Sequence, residues 1–247
     1  MSNLGHAFAQ TQTNPTSGCL NLSGATVACE PYIQIVSSDV SMSNGAYTGT
    51  ITLAGNVPSS SDTYLEWDIA IDADMNPNTA SVCAGGVTCS TAVSNLIFNG
   101  IGVDFLIVYN LWNNPCDNGH GYNDNTPCTF IYARFNNVYS LPTPAKVSGN
   151  TIQFFWKPSD ADGALGKDQG SSFNFVVLAG IYSDGGNTFG ELQSFDKAPN
   201  AGYYEFQSGN VTAVPELTAP PIVAFIAIIM AFCILNYHKR FRGTKYR

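Results

Sequence analysis

The sequence predicts an all-β protein, a two-sheet antiparallel sandwich of jelly-roll-like layout, followed by one C-terminal transmembrane helix. Apolar and polar residues alternate along many short segments, and clusters of Gly, Asn, Asp and Ser separate these segments. An uncharged apolar run lies close to the C-terminus. Before that run, no segment keeps a helical apolar period for three turns. The body is therefore expected to be built from strands and turns.

The segment Tyr64–Asp72 shows the alternation most clearly. Every second residue from Leu65 to Ile71 is apolar, whereas Glu66, Asp68 and Asp72 point to the other side. Turns such as Ser43-Asn44-Gly45 separate segments of this kind. The other strand candidates are Ile33–Val36, Tyr47–Leu53, Val103–Tyr109 (with Val103, Phe105, Ile107 and Tyr109 facing inward), Phe130–Phe135, Ile152–Trp156, Phe173–Val177, Leu178–Tyr182 and Tyr203–Phe206.

The N-terminus looks like the end of a secretory signal peptide. Ala7 and Ala9 form a small-x-small cleavage pattern, so residues 1–9 are interpreted as a signal remnant and Gln10 as the mature start. Residues 10–36 then form an N-terminal extension with the first strand, and residues 37–206 form the sandwich. A linker over 207–218, a membrane helix over 219–237 and a basic tail over 238–247 complete the expected organisation.

The membrane helix rests on composition and length. No charged residue lies between Leu217 and Tyr237, and a helix of that length rises about 30 Å, the thickness of the hydrocarbon layer. A buried core helix would be amphipathic, whereas this run is apolar all round. The tail that follows is basic, which places it in the cytoplasm and the body outside. Its basic residues are Lys239, Arg240, Arg242, Lys245 and Arg247.

The C-terminal region resembles a known family of sorting signals. Val214-Pro215-Glu216-Leu217, the apolar span and the basic end are similar to the PEF-type signal that archaeosortases read. The resemblance implies an archaeal host and a membrane transpeptidase that cuts near Pro215–Leu217 and passes the ectodomain to another anchor. The alternative is a single-span membrane protein that keeps its helix. Both alternatives place the ectodomain at the cell surface, anchored in the cytoplasmic membrane by the C-terminus.

Charge excludes one class of partner. All eighteen Asp and Glu precede the span, against five Lys and Arg in the same region, which is a balance of −13. A surface this acidic repels phosphate backbones, so no nucleic-acid partner is expected. It suits divalent cations instead.

Six cysteines are expected to form disulfides because an exported chain meets oxidising conditions. They fall in three close pairs, although six cysteines allow fifteen connectivities. Zinc is disfavoured because no C-x-x-C or Cys/His spacing is present. Two glycosylation sequons begin at Asn21 and Asn210. The pairs are Cys19/Cys29, Cys83/Cys89 and Cys116/Cys128.

Several segments of the body form a second recognisable pattern. The Trp67 strand runs into Asp72-Ala73-Asp74, and Ile101–Phe105, Val147–Asn150 and Asp196–Gly202 follow later in the chain. This pattern resembles DOMON-like and family-9-like carbohydrate-binding modules. It implies an extracellular β-sandwich that binds a glycan. Candidate stacking residues for sugar rings are Trp112, Tyr122 and Tyr132.

Calcium is the expected cofactor. Asp72, Asp74 and Asn76 offer hard oxygen ligands at alternate positions, with Asp68 before them and Asp104 available to complete the site. The loop is not an EF-hand because Pro77 stands where a Gly is needed. The alternative is an Asx-rich turn that binds only its own backbone. Asp160 and Asp162 form a weaker second candidate.

The expected function is a surface-anchored module that binds glycan or cell-envelope components, with no catalytic residues. One alternative is a structural or adhesive envelope protein without a small ligand. A second alternative is a glycan-processing enzyme in which Glu66 and Asp68, two residues apart on one strand face, act as paired carboxylates.

Overall fold

The structure is a computed structural model. It describes residues 18–79, 81–82, 89–111, 128–133, 137–140, 145–160, 172–183, 192–207 and 210–214. These residues contain fourteen strands, one helix of eight residues and a helical segment over 158–160. In chain order they are β1 (Cys19–Leu20), β2 (Thr26–Val27), β3 (Ile35–Ser43), β4 (Ala46–Leu53), β5 (Tyr64–Asp72), α1 (Thr91–Phe98), β6 (Phe105–Leu111), β7 (Cys128–Ala133), β8 (Asn137–Ser140), β9 (Lys146–Ser148), β10 (Thr151–Trp156), β11 (Ser172–Tyr182), β12 (Leu192–Ala198), β13 (Tyr203–Gln207) and β14 (Asn210–Val214).

The strands form two antiparallel sheets, which confirms the prediction that the body is mostly β-structure arranged in two antiparallel sheets. The larger sheet has ten strands in the order β2-β1-β12-β11-β5-β6-β7-β8, and β13 pairs with β11 beyond the end of β12 while β14 pairs with β13. The smaller sheet has the order β3-β4-β10-β9. Asn44 and Gly45 join β3 to β4 with positive φ angles of 52° and 75°, as a tight hairpin turn requires.

The two sheets share one apolar core. Tyr47 of the smaller sheet packs edge-on against Phe173 and Phe206 of the larger sheet, with ring centroids 5.5 and 5.4 Å apart. The predicted inward residues Trp67 and Trp156 are buried in this core. Every second residue of β4 and β10 is buried and the residues between them are partly accessible. This alternation arises because one face of the smaller sheet packs on the larger sheet and the other face does not.

The outer face of the larger sheet is covered as well. A second apolar cluster joins α1 and the segment before β6 to the outward side chains of β5, β6, β11 and β12. Strands β5 and β6 are therefore buried at every position. The helix begins after Ser90, whose side chain accepts a hydrogen bond from the Val93 N–H, and ends at Asn99 in the left-handed conformation.

The structure corrects several predicted strand boundaries. The first strand of the smaller sheet runs over β3 rather than Ile33–Val36, and the two candidates from Phe173 to Tyr182 form the single strand β11. Val103 does not share the inner face with Phe105, because its N–H donates to the Ile101 carbonyl in a tight turn that breaks the alternation. Helix α1 and strand β12 were not predicted.

The Cys19–Cys29 disulfide is present as expected. Cys89 is also disulfide-bonded, and its expected partner Cys83 lies outside the described residues. Cys116 lies outside them too, and Cys128 is the first residue of β7.

Candidate metal centre

Strand register brings the two buried carboxylates of the acidic cluster together. Strand β5 ends at Asp72, and its neighbour β6 begins at Phe105, which stands opposite Ile71. Asp104 immediately precedes β6, and its N–H donates to the Ile71 carbonyl at 2.7 Å. Two carboxylates thirty-two positions apart in the sequence therefore meet at one end of the larger sheet, and both are buried.

Three carboxylates converge there. One oxygen from each of Asp72, Asp74 and Asp104 lies within 4.8 Å of the other two. Calcium binds oxygen at 2.3–2.6 Å, so oxygens on opposite sides of the ion lie roughly 5 Å apart. The cluster is therefore small enough for its three oxygens to touch one calcium ion.

The loop after β5 is held by hydrogen bonds into this cluster. Asp104 Oδ2 accepts from the N–H groups of Ala73 and Asp74 at 2.9 and 3.1 Å. The Asn76 N–H donates to Asp72 Oδ1 at 3.1 Å and to Asp74 Oδ1 at 3.0 Å. Between them, Met75 adopts a positive φ of 52°. The backbone donors offset part of the negative charge and fix the positions of the carboxylates.

Asp72 is the electrostatically costly member of the cluster. The pKa of its carboxyl is raised to about 7, mainly by burial and also by the neighbouring Asp104 charge, against the lowering effect of hydrogen bonds from Asn174 and the Asn76 N–H. An ionised Asp72 beside Asp104 is therefore unfavourable without a compensating cation at this position.

Asn174 is a member of the site that sequence reasoning missed. It stands opposite Asp72 in the β5–β11 ladder, and its Nδ2 donates to Asp72 Oδ2 at 3.3 Å. The side chain is 95% buried, since its exposed fraction is 5%, and its Oδ1 has no hydrogen-bond donor among the described residues. Asn174 therefore contacts Asp72 of the cluster, and a buried amide oxygen without a donor is a ready cation ligand.

A local signal for Asn174 was present in the sequence. It is the single polar residue in the run Phe173–Ile181, which otherwise contains apolar residues and Gly180. A polar side chain in a doubly covered strand needs a partner, because burying it without one costs roughly 1–3 kcal/mol. The sequence did not reveal which partner it meets, since the β5–β11 register depends on tertiary structure.

The remaining expected calcium ligands are arranged differently. Asn76 contacts the cluster through its backbone N–H, while its Oδ1 accepts from the Asn78 N–H at 3.1 Å. Asp68 is not part of the three-carboxylate group. It lies four residues before Asp72 on the same strand face, roughly 13 Å away along β5, where its carboxyl contacts Glu66.

The Glu66–Asp68 pair bears on the enzyme alternative. The two carboxyls do meet, but both side chains have an exposed fraction of 0%. Glycoside hydrolysis needs the scissile bond and a water molecule between the two carboxyls. In this conformation a sugar has no access to either one.

Asp160 of the weaker cation candidate lies in a helical segment over residues 158–160. Asp160 Oδ2 accepts from the Lys157 N–H at 2.7 Å, and the Asp160 N–H donates to the Lys157 carbonyl at 3.0 Å. The Asp160 carboxylate therefore has a local structural partner. Asp162 lies outside the described residues.

Other predicted sites are only partly described. Trp112 and Tyr122 lie outside the described residues, and Tyr132 lies in β7 opposite Leu106. Asn21 Oδ1 accepts from the Ser23 N–H, the Ser23 hydroxyl and the Ala25 N–H, so this sequon forms an Asx turn. Asn210 opens β14, and Val214 of the sorting motif ends it. Residues 215–217 lie outside the described residues.

Comparisons with protein-family models, curated proteins and solved structures give no match to this chain. Among the described residues, no helix has the length and apolar character needed to cross a membrane. The expected span over 219–237 lies outside those residues.

Proposed function

We propose that the chain is an exported, surface-anchored module with a jelly-roll-like β-sandwich body, which binds calcium and recognises glycan or other cell-envelope components. The observation that carries this proposal is the convergence of Asp72, Asp74 and Asp104 within 4.8 Å of one another beside the unpartnered amide oxygen of Asn174. Calcium is favoured because every side-chain ligand is a hard oxygen.

The electrostatics support a divalent ion at this site. Folding alone holds two buried carboxylates side by side, and burial with the Asp104 charge keeps the pKa of Asp72 near 7. A divalent cation would offset that repulsion and favour the ionised form of Asp72. It would also accept an oxygen from Asn174, whose amide would rotate to exchange its nitrogen and oxygen.

The cation-binding claim is tested by calorimetric titration of calcium into the chelator-treated full-length chain. A dissociation constant of about 10⁻⁴ to 10⁻³ M is expected, as in extracellular modules with few charged ligands. Asp104→Asn should strongly reduce the heat, because it removes the negative charge of a buried ligand. Asp62→Asn makes the same charge change at an exposed position and should bind as the parent does. No heat with the parent chain would refute calcium binding.

The glycan claim rests on the resemblance of the body to carbohydrate-binding modules. The full-length chain should be incubated with glycans released from an archaeal envelope, with and without calcium, while bound ligand and new reducing ends are measured together. Retention without new reducing ends supports a recognition module. New reducing ends would support the glycan-processing alternative, and the absence of both signals would support a structural or adhesive role.

Anchoring is proposed from the C-terminal motif. We infer that an archaeosortase-type enzyme removes the span after the ectodomain has crossed the membrane. Mass spectrometry of the chain recovered from archaeal membranes distinguishes the two alternatives. A C-terminus near Pro215–Leu217 supports processing, whereas an intact basic tail to Arg247 means that the span is kept as a permanent anchor.

A further inference from the structure

A second pair of acids lies in the middle of the larger sheet, away from the calcium cluster. Glu66 and Asp68 point from β5 toward the outer apolar cluster, and both are fully buried. Their carboxyls are within hydrogen-bonding contact of each other. The proposed calcium site does not use this pair.

Glu66 is arranged to carry a negative charge. The Tyr64 hydroxyl donates to Glu66 Oε2 at 2.9 Å, and the Tyr182 hydroxyl donates to Oε1 at 3.1 Å. Asn110 Nδ2 in turn donates to the Tyr64 hydroxyl at 2.5 Å, which orients that phenol toward Glu66. Hydrogen bonds donated to both oxygens favour the carboxylate form.

Asp68 has the opposite environment. Its cross-strand neighbours are Val108 on β6 and Leu178 on β11, both buried and apolar. Among the described residues, no N–H or O–H group of another side chain or of the backbone donates to either Asp68 oxygen. Its polar contact is the Glu66 carboxyl, and two carboxyls form a hydrogen bond only when one of them holds a proton.

We propose that Asp68 keeps a proton and donates a hydrogen bond to Glu66. This buried carboxyl pair makes the module lose stability as the medium becomes more alkaline. A carboxyl group kept neutral by an apolar site is a recognised solution to burial. A single shared proton leaves one negative charge with three hydrogen-bond donors, namely Tyr64, Tyr182 and Asp68.

The direction of the pKa shifts agrees with this geometry. Burial, followed by the Glu66 charge, raises the pKa of Asp68 well above its ordinary 3.8. Burial also raises the pKa of Glu66, but hydrogen bonds from Asp68, Tyr64 and Tyr182 lower it. The proton therefore belongs on Asp68.

The sign of the pH effect follows from the raised pKa of Asp68. Below about pH 4 the folded and unfolded chains are both protonated at Asp68, and the pair imposes no penalty. Above that pH the unfolded chain releases the proton while the folded chain keeps it. The folding equilibrium constant should fall about tenfold per pH unit until the pH passes the folded pKa of Asp68.

Within the part of the chain that the structure describes, the groups packed around the pair are neutral donors or have their charge directed elsewhere. Tyr64 on β5 and Tyr182 on β11 face the pair as hydroxyl donors, and Asn110 on β6 is neutral. Lys197 on β12 stands beside Leu178, but its ammonium donates to the Leu96 carbonyl and to Asn99 Oδ1 at the end of α1. Helix α1 itself carries no charged residue.

The test compares the full-length chain with Asp68→Asn by urea unfolding between pH 5 and pH 9 in the presence of chelator. The amide keeps a donor toward Glu66 but cannot ionise. The folding equilibrium constant of the parent should therefore fall by about tenfold per pH unit relative to that of Asp68→Asn, until the pH passes the raised folded pKa of Asp68. Asp62→Asn, at an exposed position, should run parallel to the parent.

Infrared spectroscopy of the parent chain gives an independent readout of the carboxyl proton. A protonated carboxyl band that persists above the ordinary pKa range of Asp and Glu supports the proposal, and its loss in Asp68→Asn assigns it. Parallel unfolding profiles for the parent and Asp68→Asn, or a protonated carboxyl band that Asp68→Asn leaves unchanged, would overturn the shared proton. Neither result depends on whether the acidic cluster binds calcium.

Discussion

Gly102 offers a sharp test of how the loop after β5, which carries Asp74, is held in place. It lies two residues before Asp104, where the chain passes beneath the loop that follows β5. A Cβ atom at this position would lie 2.3 Å from the Asn76 carbonyl oxygen and 2.9 Å from that of Thr79. Both contacts are with backbone, so a side-chain rotation cannot relieve them. We therefore consider Gly102→Ala as the perturbation.

The magnitude follows from these two distances. Inserting one carbon into a close-packed contact costs about 1–3 kcal/mol, and two backbone contacts under 3.0 Å place this change at about 2–3 kcal/mol if the loop stays in place. If the loop moves outward instead, the stability cost is smaller, but Asp74 shifts away from Asp72 and Asp104. Calcium affinity should then fall about tenfold, which corresponds to roughly 1.4 kcal/mol of binding free energy.

Two assays separate these outcomes. Urea unfolding in chelator measures the free energy of unfolding, and calorimetry measures calcium affinity. Gly45→Ala is the matched control, because a Cβ there meets nothing within 4 Å and the change adds only the strain of a φ of 75°, about 1 kcal/mol. Unchanged calcium affinity together with a stability loss of less than about 0.5 kcal/mol in Gly102→Ala would refute the packing of the loop on Gly102.

Three further predictions concern other contacts. Asn174→Leu should weaken calcium binding about tenfold while Asn174→Asp retains it, because only the latter keeps an oxygen beside Asp72. Calorimetry measures the two calcium affinities, and equal values for both variants would remove Asn174 from the site. Calcium affinity of the parent should fall about tenfold per pH unit below about pH 7, because burial raises the pKa of Asp72 to about 7 and a proton then competes with the ion; a flat profile from pH 5 to 7 would contradict this. Lys197→Met should lower the free energy of unfolding by about 2 kcal/mol and speed amide hydrogen exchange in α1, because the buried ammonium donates to the Leu96 carbonyl and Asn99 Oδ1. Lys146→Met, which removes an exposed ammonium above the Phe155 ring, serves as the comparison.

Strand alternation predicted the inner faces because burial has the same period as the strand. Leu65 to Ile71 on β5 and Ile152 to Trp156 on β10 were assigned to the core from period alone, and the structure confirms both. The same rule fails for β12, because the polar residues Ser194, Asp196 and Lys197 hide the apolar alternation that would predict a buried strand. Asp196 and Lys197 are buried nonetheless, because Asp196 Oδ2 accepts from the Ile35 N–H and Lys197 reaches the end of α1. These partners are distant in sequence, so no local pattern contains them.

The helix was missed for a different reason. Its eight residues form little more than two turns, too few for a 3.6-residue period to stand out. Its capping residues, Ser90 before it and Asn99-Gly100 after it, were the available signal. In the acidic site, the short-range residues Asp72 and Asp74 were predictable from spacing. Asn174 was not, because its place depends on the pairing of β5 with β11.

The two acidic sites on β5 show how depth decides the way in which a carboxyl group is neutralised. Asp68 lies fully buried between Val108 and Leu178 at the centre of the sheet, and a shared proton is the smallest group that can satisfy the pair. Asp72 lies on the same face but at the strand end, where the loop supplies the exposed Asp74 and backbone N–H groups. There a larger ion can enter and find several oxygens. Calcium should therefore stabilise the chain, whereas alkaline pH should destabilise it. Calcium should stabilise Asp68→Asn as much as it stabilises the parent, because the two sites are roughly 13 Å apart and share no partner named above. A calcium effect that disappears in Asp68→Asn would show instead that the pair and the cluster form one coupled site.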